Sequence, residues 1–255
     1  MQTDRARSIK RTLEVLEYFN DAGTSATVAE ISRGLGYPQS STSILLRNLM
    51  ELGYLAYERE TRRYRPTARI ALLGWGARSH LLGDGKLMAA LDEISAKTGE
   101  LVYLATQVGL SVHYIHVIQA TNALRLHLPV GAVRPLVGST SGHLFLSAMS
   151  DAVIADTYRR ATEVSDGAPL PSIDAVMEEV RAVRARGYTI STNTMTPGGG
   201  LIARLLPKTL GLQTMAVGIG GVGSVIEARK SELEAVIRGA LMRHFSLTEA
   251  ALSPY

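Results

Sequence analysis

Hydrophobic residues in the first third of the chain recur at intervals of three and four, which is typical of helices that bury one face. The first such run covers residues 8–20. A second helix is predicted to begin at Thr27, because Thr27 and Glu30 have the spacing of a capping box. A third helix begins near Pro38 and ends at Gly53. The pattern therefore predicts three short helices in this part of the chain.

A glycine-rich turn at residues 34–36 separates the second helix from the third, as in a helix-turn-helix whose last helix enters the major groove. Residues 54–57 and 64–66 favour two strands around a charged turn, which predicts a wing. Polar and basic side chains of this unit could contact phosphates or base edges, although the same faces could simply be solvated. The candidate DNA contacts are Lys10, Arg11, Gln39, Ser40, Ser41, Ser43, Arg47, Arg59, Arg62, Arg63 and Arg65.

Residues 68–82 are rich in apolar side chains and have helical spacing despite Gly74 and Gly76. This segment contains the only tryptophan of the chain, Trp75. Two interpretations remain open, a hinge that also forms a dimer seam and a helix that packs within its own domain. Gly85 closes the segment.

From Lys86 onward the pattern changes to helices and strands in turn. A helix that ends at Gly99 precedes two apolar strands joined as a hairpin, at residues 101–107 and 112–118. This order predicts an α+β domain built on an antiparallel sheet. The later predicted helices are 151–161, 172–186 and 226–245, and the later predicted strands are 188–194, 201–206 and 213–219.

Charge is distributed unevenly along the chain. Up to Gly83 there are 12 Lys and Arg against 8 Asp and Glu, whereas the rest of the chain has 15 of each. A basic unit joined to a neutral one suits a protein whose first part meets a polyanion. The chain has no cysteine, which excludes disulfides and thiolate chemistry. Without an apolar segment of about 18 residues, we expect no membrane anchor and a cytoplasmic protein.

Three motifs that could indicate catalysis lack the context they need. Residues 218–223 fit a dinucleotide-binding pattern, but a final helix follows them instead of a further strand. Residues 138–142 resemble a nucleophile elbow with Thr140 in place of the serine. His113 and His116 fall on opposite faces of one strand, without an acidic partner. We therefore expect no cofactor, no metal and no enzymatic activity.

The segment Ser139-Thr140-Ser141-Gly142 is better explained as the start of a helix. Free amides and hydroxyls at such an end can receive an anion, and a carboxylate would suit it. An ordinary helix cap is the alternative.

Four stretches of the chain together resemble the IclR family of regulators: SIKRTLEVL, GLGYPQSSTSILLRNLMELGYL, RRYRPT and VRARGYTI. The resemblance covers about residues 8–245. It implies a winged helix-turn-helix domain over residues 1–67, a linker helix over 68–85 that mediates dimers, and a GAF-like effector-binding domain over 86–255. Homodimers or dimers of dimers on operator DNA are the assemblies that it implies.

The resemblance also implies an effector pocket, and departures from the family pattern bear on its ligand. His143 stands where a lysine is usual, residues 191–195 replace an acidic run, and Arg134 occupies an apolar position. Fewer acids and an added arginine favour a carboxylate. In the third helix, Ile44 replaces a common arginine. The predicted pocket residues are Leu126, Arg134, Ser139, Thr140, Ser141, Gly142, His143, Thr192, Leu201, Gly218 and Gly220.

Two other functions remain open at this point. The C-terminal domain could serve only to oligomerise a DNA-binding protein, without binding any ligand. The protein could also be an enzyme that acts on a small organic acid.

Overall fold

The chain forms two compact units, Met1–Arg78 and Ser79–Tyr255, in the computed structural model. The structure describes residues 2–21, 25–73, 85–122, 126–165, 169–193, 196–207 and 214–250.

The first unit contains the predicted three helices and the predicted wing. Its elements are α1 (Gln2–Asp21), α2 (Val28–Leu35), α3 (Gln39–Glu51), β1 (Leu55–Glu58), β2 (Arg63–Pro66) and α4 (Ala68–Leu73). The two strands pair antiparallel, and a further bridge joins Ala26 to Tyr64. The predicted winged helix-turn-helix is therefore confirmed.

Local chemistry explains where these helices begin and end. The capping box is present, because Glu30 N donates to Thr27 Oγ1 at 3.3 Å and Thr27 N donates to Glu30 Oε2 at 2.8 Å. Gly53 follows α3 with a φ of 78°, which a side chain would disfavour. The core of this unit consists of Val15, Phe19, Ala26, Ile31, Leu46, Leu49, Leu55 and Tyr64.

The second unit is an α+β domain, as predicted. Its helices are α5 (Lys86–Thr98), α6 (Thr140–Ser147), α7 (Asp151–Val164), α8 (Ile173–Arg186), α9 (Gly223–Ala228) and α10 (Lys230–Phe245). Its strands are β3 (Leu101–Val108), β4 (Ser111–Ile118), β5 (Val133–Pro135), β6 (Thr189–Thr192), β7 (Gly199–Leu205) and β8 (Met215–Val222).

The six strands form one antiparallel sheet in the order β5-β4-β3-β8-β7-β6. Side chains alternate across it, so Val102 and Leu104 pack with α5 and α10 while Leu101 and Tyr103 pack with α6, α7 and α8. The sheet is thus the middle layer of three, and each of its faces has its own apolar core.

Two details differ from the prediction. The single final helix is divided into α9 and α10 at Arg229, whose backbone is not helical (φ −104°, ψ 11°) and whose side chain bonds Glu232. The short strand β5 was not predicted. The described part of the predicted linker helix is α4; Trp75 and the rest of that segment lie outside the described residues.

Candidate functional site

The helix α3 presents a polar outward face. Thr42, Leu46 and Leu49 are buried in the core of the first unit. At about 3.6 residues per turn, Ser40 and Arg47 lie on the opposite side, and both are exposed. Gln39 is also exposed in the first turn, while Ser43 is half-buried. Four of the five predicted contacts on α3 therefore lie near one another at the surface, and the fifth, Ser41, lies toward α1.

A surface groove runs between α2, α3 and the wing. Gln39, Ser43, Arg47 and Arg62 line it. A second groove separates α3 from α1, and Arg11 and Ser41 line it. Each side of α3 thus has basic and polar side chains beside it.

The two predicted contacts on α1 already have partners. Lys10 Nζ lies 3.7 Å from Glu14 Oε1, and its side chain remains exposed. The Arg11 guanidinium lies 4.7 Å above the ring of Tyr37. Such exposed interactions are weak and leave both cations near solvent.

The wing arginines fall into two groups. Arg59, Arg62 and Arg65 are exposed. Arg63 instead donates from Nη2 to the carbonyl oxygen of Ser25 at 2.8 Å and pairs with Glu30 Oε2 at 3.1 Å. The prediction that Arg63 contacts DNA does not fit this position, because its guanidinium joins the wing to the start of α2.

The second unit contains a cavity of about 110 Å³ between the sheet and the start of α6. This volume approaches the ~150 Å³ of cavities that hold a benzene-sized molecule. Seven of the predicted pocket residues line it: Leu126, Arg134, Ser139, Thr140, Ser141, Leu201 and Gly220.

The other four predicted pocket residues do not border the cavity. Thr192 pairs with Gly200, and strand alternation turns its side chain to the opposite face, so that Ser191 lines the cavity instead. A side chain on Gly142 would overlap the carbonyl oxygen of Leu136. The absence of a side chain at position 142 therefore lets α6 pack closely.

Gly218 and His143 do not line the cavity either. A side chain on Gly218 would overlap the Tyr103 ring, so this glycine makes room for that ring. Burial lowers the pKa of His143, which the charge of Glu179 opposes. His143 is therefore neutral at pH 7 and adds no positive charge to the start of α6.

Two tyrosines that were not predicted form the polar end of the cavity. Tyr114 Oη and Ser141 Oγ share a hydrogen bond of 2.7 Å. The hydroxyl of Tyr103 is buried without a hydrogen-bond partner in the described structure. Burial raises the pKa of both tyrosines, so both hydroxyls keep their protons at neutral pH and can donate.

The start of α6 supplies further donors at the same place. Ser139 Oγ accepts the amide of Gly142 at 3.0 Å and donates to Pro135 O at 2.5 Å. This cap leaves the amides of Thr140 and Ser141 for a ligand. The described lining holds two basic side chains, Arg134 and His127, and no acidic one.

Within the described part of the chain, no three His, Asp or Glu side chains are grouped so that they could hold a metal ion. No helix there is long and apolar enough to cross a membrane. The motif at residues 218–223 covers the end of β8 and the start of α9, and the described chain continues into α10 without another strand.

Comparison with known proteins agrees with both units. Residues 8–59 match the IclR helix-turn-helix domain, and residues 86–240 match the family described as bacterial transcriptional regulator IclR C-terminal. The acetate operon repressor of Salmonella typhimurium is 25% identical over 243 residues, which cover 92% of this chain and 87% of that protein.

Solved structures give the same result. The effector domain of a transcriptional regulator IclR from Acinetobacter sp. ADP1 is 30% identical and has a TM-score of 0.59, covering 67% of this chain and 99% of that one. An IclR regulator from Alicyclobacillus acidocaldarius shares the whole fold, with 21% identity and a TM-score of 0.65 over 97% of this chain and 98% of that one. The chain therefore belongs to the IclR family, and it is a DNA-binding transcriptional regulator and not an enzyme.

Proposed function

We propose that the cavity of the second unit binds a small effector through a carboxylate, and that this binding controls the affinity of the first unit for operator DNA. The observation that carries the proposal is the lining of the cavity, which holds Arg134 and several hydroxyl side chains but no acidic side chain among the described residues. The Tyr103 hydroxyl, on one of these lining residues, is buried without a partner, and a buried donor without an acceptor costs about 1–3 kcal/mol. A ligand oxygen that reached it would remove that cost.

The remaining donors favour an anion over a neutral oxygen. The unpaired amides at the start of α6 carry the positive end of the helix dipole. Arg134 lies on the same wall of the cavity, where it pairs across the sheet with Val112. Its positive charge opposes the rise in the pKa of Tyr114 that burial causes. A guanidinium can hold a carboxylate through two parallel hydrogen bonds. The apolar side chains Leu101, Leu126, Leu128 and Leu201 would then surround the body of the effector.

DNA contact is assigned to the face of α3 and to the wing. In this proposal Gln39, Ser40 and Arg47 meet base edges or phosphates, and the exposed wing arginines meet the backbone. We further propose that the regulator acts in the cytoplasm as a homodimer or a dimer of dimers, as the family resemblance implies. The Salmonella relative is named a repressor, which supports repression as the mode of control.

Thermal unfolding of the full chain with a panel of small carboxylates, each paired with its neutral amide, tests the effector proposal. A carboxylate present at 100 times its Kd should stabilise the chain by about 2.7 kcal/mol, and the matching amide should not. Arg134→Met should abolish this stabilisation, whereas Arg181→Met, at an exposed position on α8, should keep it. Equal stabilisation of the wild type and Arg134→Met, or stabilisation by amides alone, would contradict the carboxylate assignment.

Failure of the whole panel would favour a domain that only oligomerises the protein.

A further inference from the structure

An isoleucine occupies the middle of the outward face of α3. At about 3.6 residues per turn, Ile44 lies directly opposite the buried Thr42, Leu46 and Leu49. Its side chain is 61% exposed. Ser40 and Asn48, one turn before and one turn after it, are both polar and exposed.

Two surface grooves flank the outward face of α3. Ile44 and Arg11 line the groove on the side of α1, and Arg47 and Arg62 line the groove on the side of the wing. These cations are placed to approach the phosphates on both sides of a DNA groove. The outward face of α3, with Ile44 at its middle, would then point at the base edges.

We infer that Ile44 reads a thymine by contact with its C5 methyl group in the major groove. An isoleucine side chain can neither donate nor accept a hydrogen bond, so phosphates and the polar base edges offer it nothing. The thymine methyl is the apolar group that the major groove displays. Single exposed apolar residues are common on protein surfaces; the assignment depends on the central place of Ile44 among polar and basic neighbours. It rests on the proposed role of α3 as the helix that reads DNA.

Deoxyuridine, which lacks the C5 methyl group, provides the test. The preferred duplex is first selected from a randomised library with the full chain, and each thymine is then replaced by deoxyuridine. For the wild type we expect one thymine in each half-site at which the replacement weakens binding about fourfold, the value for one buried methyl group. With Ile44→Ala the replacement at that thymine should have no effect.

Val153→Ala is the matched control, because Val153 is an exposed β-branched residue on α7 of the second unit. It should show the same deoxyuridine profile as the wild type. Ile44→Ala should unfold at the wild-type temperature, since the side chain is exposed, which separates lost contact from lost folding.

One result would overturn the inference: at every thymine of the selected site, replacement by deoxyuridine weakens DNA binding by the wild type no more than it weakens binding by Ile44→Ala. DNA binding by α3 would stand in that case. If the library yields no preferred duplex, or if substitutions at Gln39 and Arg47 leave binding unchanged, the reader role of α3 fails and the inference fails with it.

Discussion

Arg63 on the wing and Glu30 on α2 form an ion pair, with Nη2 and Oε2 3.1 Å apart. The same guanidinium donates to Ser25 from Nε and Nη2. One side chain therefore holds three points of the first unit together: the wing, the segment before α2 and Glu30 in the first turn of α2.

Arg63→Lys should lower the free energy of unfolding of the first unit by about 1 kcal/mol, because an ammonium group cannot reproduce the fork of hydrogen bonds. Arg65→Gln should leave stability unchanged and weaken DNA binding. For Arg65→Gln, the slope of log affinity for DNA against log salt concentration should be smaller in magnitude by about 1, as expected for one lost phosphate contact. Urea unfolding and binding titrations at several salt concentrations check both. A stability loss for Arg65→Gln and none for Arg63→Lys would reverse the two roles.

The two cavity tyrosines should respond oppositely to loss of their hydroxyls. Tyr103→Phe removes a buried group that has no partner, so the free chain should gain about 1 kcal/mol of stability. Tyr114→Phe breaks the hydrogen bond to Ser141 and should lose a similar amount. Urea unfolding of the ligand-free variants measures both changes.

Effector binding gives a second measure of Tyr103. In Tyr103→Phe, loss of the hydrogen bond to a charged ligand should weaken ligand binding about tenfold or more. Calorimetry with a carboxylate that stabilises the wild-type chain measures this change. Unchanged affinity would exclude Tyr103 as a ligand donor.

Alanine substitutions at two glycines of β8, Gly218 and Gly220, should have different effects on stability and on effector binding. In Gly220→Ala the new Cβ would meet Leu101 at an ordinary contact distance of 3.4 Å and project into the cavity. This variant should fold normally and bind the effector weakly. Gly218→Ala must displace the Tyr103 ring and should cost about 1–3 kcal/mol of stability. Thermal unfolding with and without a carboxylate distinguishes them; equal stability loss in both variants would contradict this division.

The buried His143 should make stability depend on pH. Its Nε2 has no partner in the described structure, and burial lowers its pKa below the usual 6.5. The unfolded chain therefore binds a proton near pH 6.5 that the folded chain does not, so stability falls as the pH falls below 6.5. Wild-type protein should lose stability between pH 7.5 and pH 5.5 more steeply than His143→Leu, in urea unfolding at each pH. His116, whose pKa burial also lowers, should leave a residual slope in the variant.

Most of the first unit was predictable because its signals are local. The capping box at Thr27, the glycine after α3 and the apolar stripe each act within a few residues, and the structure has each of them. The interactions of the Arg63 guanidinium were not predictable, since its partners Ser25 and Glu30 lie more than thirty residues away from it in sequence.

The cavity was predicted only in part, because it depends on cross-strand register. Tyr103 and Gly220 meet there through the pairing of β3 with β8, which no local pattern indicates. Thr192 was predicted to line the cavity, whereas Ser191 does so, because strand alternation shows which residues share a face but not which face borders the cavity.

The pairing of β3 with β8 also sets an order of events during synthesis. Leu101 lies opposite Gly220 at the centre of the sheet, so the second unit cannot complete its middle layer until most of its sequence has left the ribosome. The first unit needs only contacts among its own residues, and short-range contacts form quickly. A nascent chain would thus carry a folded first unit before it carried a folded second unit, and pulse proteolysis of stalled chains would reveal the interval.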